Sequence, residues 1–210
     1  MSYIKRFFDI YCKFISVDLI DTFENKRNIR IVNNAFVVFY AILSKNSSNE
    51  KKEKLLDNLE IIINSYILNK QNILNCNEFD FSNTFSLTKL QNTLDAYALS
   101  LKKYKHFFGN NSLFRQSLIE CHNALSHILA GFKNSETSLN KNISKANNHF
   151  HRGVLDIYKT IIKDNYSKIN KNKLIELRKK EFTSIGIDSN ENTHTKDDIE
   201  QGYVDLVENI

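Results

Sequence analysis

Residues 86–109 read SLTKLQNTLDAYALSLKKYKHFFG. Within them Leu87, Leu90, Leu94, Tyr97, Leu101, Tyr104 and Phe108 recur in alternating steps of three and four. An α-helix places residues at those steps on one face, whereas a half-buried strand would alternate. Gly109 follows the last of them, where helices commonly end, and Ser86 stands before the first as a candidate N-cap. An isolated helix of this length is marginal in water and gains its stability by burying the stripe against neighbours. The stretch therefore predicts one member of a helical bundle.

The same pattern continues on both sides. A first helix is expected from Tyr3 to about Phe23, with Ile4, Phe7, Phe8, Tyr11, Phe14, Ile15 and Leu19 on one face. A second runs from Arg27 to Lys45 along Ile29, Val32, Phe36, Phe39 and Leu43. After a polar loop, Asn49 is a candidate cap for a third helix reaching about Leu74. Its apolar residues, among them Leu55, Leu59, Ile62 and Ile63, cover a wide face, which predicts a central position. Residues 75–84 interrupt the pattern with polar and aromatic side chains.

The fifth helix, Leu113 to about Phe132, carries its seam on Leu118, Cys121, Leu125 and Ile128. It ends near Gly131 and the pair Asn134 and Ser135. The sixth extends from about Ser138 toward Ile169 along Ile143, Ala146, Phe150, Val154, Ile157 and Ile161. Gly153 lies inside it at a cost of roughly 1 kcal/mol against alanine, which points to close packing at that position. Lys171 to Glu181 is a basic stretch with the makings of a short helix. Phe182 to Thr195 reads as a polar loop, with Thr195 a candidate cap for a last short helix.

Composition agrees. The chain of 210 residues contains no proline and five glycines, with 41% hydrophobic and 25% charged residues. Sheet proteins need turn residues every few positions, and these are missing. The expected architecture is all-α: an antiparallel helical bundle of about six helices over residues 1–169, then a basic and finally acidic appendage over 170–210. Seven-residue seams permit packing within the chain or against a second copy. Cys12, Cys76 and Cys121 are odd in number and lack CxxC spacing, which argues against a disulfide framework or a zinc site and for a reducing, cytoplasmic setting. No apolar run approaches the roughly 18–20 residues of a membrane span, so no membrane association is expected.

Charge is unevenly distributed. The net charge is +5, yet residues 188–210 hold seven acids and one lysine, leaving a body of +11. Such a body can attract phosphate backbones, or be neutralised by its own acidic end. Acids alternating with Ile199, Tyr203, Leu206 and Val207 suit a docking helix.

One stretch carries candidate chemistry. Arg115 and His122 lie seven residues, or two turns, apart on one side of the fifth helix, with Ser126 in the same sector. Arginine offers fixed bidentate donors, and histidine exchanges protons near neutral pH. The spacing resembles the R-x4–6-H motif of the HEPN superfamily of helical-bundle nucleases and nucleotide-binding proteins. The position after the arginine, commonly Asn or Asp in that family, is Gln116 here. The resemblance implies metal-independent RNA cleavage at a site formed across a dimer. A ribose 2′-hydroxyl would attack the phosphate while Arg115 steadies its charge and His122 moves the proton.

No cofactor or metal is expected. There is no glycine-rich phosphate loop, no GxSxG and no HExxH; His149 and His151 diverge on their helix, and His127 points away from the seam. The leading functional expectation is a protein–protein interaction or assembly module, as a homo-oligomer or with a protein partner. A HEPN-like RNA-binding protein or ribonuclease centred on Arg115 and His122 is the alternative.

Overall fold

Every regular element among the described residues is helical. The computed structural model describes residues 2–23, 28–69, 73–77, 79–133, 136–184 and 196–210. Among these residues eight α-helices follow in order: α1 Tyr3–Phe23, α2 Ile29–Leu43, α3 Asn49–Ile67, α4 Gln91–Phe108, α5 Arg115–Phe132, α6 Glu136–Asp164, α7 Lys171–Thr183 and α8 Lys196–Glu208. The expected start at Arg27, the stop at Asn134 and Ser135 and the cap at Thr195 fall outside the described residues.

Local chemistry sets several of the ends. The Asn28 side chain accepts from the Arg30 amide at 3.1 Å and caps α2. Ser48, not Asn49, caps α3, accepting from the Lys51 amide at 3.2 Å. Asn170 caps α7 in the same way through the Lys173 amide at 3.1 Å. Gly109 closes α4 with φ of +97°, a conformation that disfavours residues with a Cβ.

The expected start of α4 at Ser86 needs correction. Phe85–Leu90 form a 3-10 turn that runs directly into α4. A 3-10 turn aligns residues three apart, so Leu87 and Leu90 enter the core together.

The 29-residue α6 spans roughly 44 Å at 1.5 Å per residue. It packs against α4, α5 and α8. On the other side, α3 packs on α1 and α2, and both of those reach α5. Helix α5 therefore joins the two groups and is buried on more than one side, from Leu118 through Cys121, Ala124 and Leu125 to Leu129. The ring of Phe36 on α2 also crosses the junction, 4.7 Å from Tyr97 and 6.2 Å from Phe150 between centroids.

The central position expected for α3 belongs to α5 instead. Helix α3 fully buries Leu56, Leu59, Ile63 and Ile67, half-buries Leu55 and Tyr66, and leaves Ile61 and Ile62 outside.

Gly153 is required where α6 crosses α4. A Cβ built there would lie 2.6 Å from Cε2 of Tyr97. That ring is pinned: its hydroxyl donates to the Ser117 carbonyl at 2.9 Å and accepts from the Ser117 hydroxyl at 2.9 Å.

The acidic end docks on the body. Ile199, Tyr203, Leu206 and Val207 of α8 join the same core as the other helices. His151 of α6 meets Glu200 at 2.7 Å, and the Tyr203 hydroxyl donates to Glu181 of α7 at 2.6 Å. No helix among the described residues is long and apolar enough to cross a membrane.

Candidate functional site

Arg115 and His122 share α5 but not an environment. Arg115 is the first residue of the helix and is exposed. His122 follows about 10 Å along the axis and is 6% exposed. Its Nδ1 lies 2.8 Å from the hydroxyl of Tyr11 on α1. The rings of Tyr11 and Phe14 meet its imidazole at steep angles, with centroids 6.0 and 5.7 Å away. A buried imidazole needs a hydrogen-bond partner, and Tyr11 supplies one where α1 crosses α5. Ser126, on the same side, donates its hydroxyl to the His122 carbonyl at 2.9 Å.

A second polar cluster lies where α5 meets α6. Glu120 and His127 are seven apart on α5, and Asn142, His149 and Asp156 recur every seven residues on α6. Packing sets these two stripes side by side. Glu120 lies 2.6 Å from Nδ1 of His149, whose ring stacks on His127 at 5.1 Å with 21° between planes. Nδ1 of His127 lies 3.2 Å from the Asn142 side-chain oxygen.

The electrostatics of this cluster follow from its depth and its neighbours. Burial lowers the His127 pKa; the Asn142 contact opposes that, and the neighbouring His149 and Lys145 reinforce it. Burial likewise pushes the Asp156 carboxyl up, with Lys159 opposing and Glu120 reinforcing. Sequence reasoning missed this pairing because each helix shows only its own stripe. The signal available was the shared seven-residue spacing. Among the described residues, no group of three or more His, Cys, Asp or Glu could hold a metal ion.

The third feature is apolar. Between α2 and α3 lies a groove of about 360 Å³, lined chiefly by Asn34, Val37, Leu55, Asn58, Ile61 and Ile62. Val37 is 44% exposed, Ile61 64% and Ile62 37%. No charged side chain among the described residues lines it. Its origin is the wide apolar face of α3: the helix has room to bury one side only, and Ile61 and Ile62 fall on the other. Leu68, just beyond α3, is 80% exposed.

Comparison with protein-family models, with curated proteins and with solved structures found no match to this chain.

Proposed function

We propose that the chain is an antiparallel helical bundle that works as an assembly module in the cytoplasm, pairing with a second copy of itself through the α2–α3 groove. The observation that carries this reading is the uncharged aliphatic lining of that groove around Val37, Ile61 and Ile62. Contiguous exposed aliphatic surface of this kind marks interaction sites. A two-fold interface apposes the same patch to itself. Asn and aliphatic side chains tolerate that without like-charge repulsion. Light scattering on the eluting protein tests the reading. At tens of micromolar it should give twice the 24.5 kDa chain mass, and a strictly monomeric mass would contradict it.

The HEPN-like alternative assigns RNA cleavage to Arg115 and His122. It requires α1 to move away from α5 so that His122 can reach a phosphate beside Arg115. Cleavage of RNA without metal, abolished by His122→Ala in a folded protein, would support it.

A further inference from the structure

Two of the three cysteines meet although 64 positions separate them in the chain. Cys12 lies on α1, and Cys76 lies in the described segment 73–77 that follows α3. Both are free and buried. Cys76 Sγ lies 3.5 Å from the carbonyl oxygen of Phe8. In an α-helix the carbonyl of residue 8 points at the amide of residue 12, so a thiol on that carbonyl stands beside Cys12. From the other side, Cys12 Sγ lies 3.6 Å from the carbonyl oxygen of Leu74, two residues before Cys76, and 3.5 Å from that of Asp9. Each thiol thus approaches a carbonyl of the other's segment, which brings the two side chains side by side where the 73–77 segment crosses α1.

A surface hollow of about 350 Å³ reaches Cys76, with Cys12 fully buried and outside its lining. Cys76 itself forms part of the hollow's lining, with Arg6, Asp9, Lys13 and Asn77 around it. Cys121 has no such setting; it is sealed in the α5 core, and burial pushes its thiol well above the ordinary value.

We propose that Cys12 and Cys76 are a redox pair that a peroxide converts into an intramolecular disulfide, stapling the 73–77 segment to α1. The Cys12 sulfur attacks one peroxide oxygen and the O–O bond breaks. This leaves a sulfenic acid on Cys12, and the departing hydroxide takes up the Cys12 proton as water. The Cys76 sulfur then attacks the Cys12 sulfur, the S–O bond breaks, and a second water leaves with the Cys76 proton. Two thiols are oxidised by two electrons and one peroxide is reduced to two waters. The nearby Cys76 side chain lowers the Cys12 pKa against the opposing effect of burial, which favours Cys12 as the attacking sulfur. That contact, with burial, raises Cys76.

The test is to treat the full chain with hydrogen peroxide and measure intact mass, free thiols in denaturant and the peptide map. The expected result is loss of about 2 Da per chain and of two of the three thiols, with one disulfide mapping to Cys12 and Cys76. Cys121→Ser should retain the mass loss. Cys76→Ser should abolish it and leave a sulfenic acid on Cys12 that dimedone traps. Three intact thiols after treatment, a bridge that includes Cys121, or a disulfide between two chains would each overturn the proposal.

Discussion

Nδ1 of His122 and the hydroxyl of Tyr11 lie 2.8 Å apart in the interior, tying the middle of α5 to α1. The residue that the sequence offers as an acid–base catalyst is therefore a buried polar link between two helices. Removing it should cost stability. His122→Ala leaves both a cavity and the Tyr11 hydroxyl without that contact, a loss of about 2–3 kcal/mol. For a chain of this size that lowers the melting temperature by roughly 5–10 °C. A thermal melt followed by circular dichroism measures it. An unchanged melt with loss of an RNA-cleaving activity would return His122 to a catalytic role.

The crossing of α4 and α6 sets a second expectation. In Gly153→Ala the new methyl would meet the Tyr97 ring, which cannot retreat because Ser117 holds its hydroxyl. Overpacking should outweigh the roughly 1 kcal/mol gain in helix propensity, for a net loss of about 1–2 kcal/mol. Gly131→Ala is the comparison. Its nearest neighbour is the Leu139 Cδ1 methyl, the end of a flexible side chain, so its net effect should be smaller. Chemical denaturation of the two variants ranks them, and equal stability would contradict this account of the crossing.

His127 sets a pH dependence. Its folded pKa is lowered below the reference value of 6.5, chiefly by burial. A lowered pKa means the unfolded chain binds the proton more readily than the folded one. The contribution of His127 is fully present above about pH 6.5 and declines as pH falls through the folded value. His127→Gln should therefore lose less stability than the natural chain between about pH 7 and pH 5. Denaturant midpoints across that range give the comparison, and parallel curves would contradict it.

Much of the helical order is legible in the residues themselves. The three- and four-residue steps through Leu94, Tyr97 and Leu101 coincide with buried positions on α4, and Gly109 ends the helix as its type suggests. Gly153 signalled a close approach before any partner was known. Ser86 was misleading, because an apolar pair three apart fits a 3-10 turn as well as the first turn of an α-helix. Helix α3 was misleading too. A wide apolar face reads as a central helix, yet the same face can be left open for a partner. The contacts of Cys12 with Cys76 and of His127 with His149 join separate elements. Helical periodicity reports which way a side chain points on its own helix and not what it meets: the shared seven-residue spacing on α5 and α6 was compatible with the histidine contact without specifying it, and the cysteine contact has no signature in the sequence.

A mutation in the groove separates its role from that of the fold. Ile61→Lys places a charge on an exposed position that makes no part of the core, so stability should change by less than about 0.5 kcal/mol. The dimer mass in light scattering should fall to that of a monomer. Retention of the dimer in a folded Ile61→Lys chain would move the interface elsewhere.

The central claim, that two copies meet through the α2–α3 groove, is tested most directly by photo-crosslinking from Asn58 in its lining. Benzoylphenylalanine placed there and irradiated in the purified protein should yield a covalent dimer, with the attachment point on α2 or α3 of the second copy. A product that stays at monomer mass, or one attached to a different helix, would contradict the account.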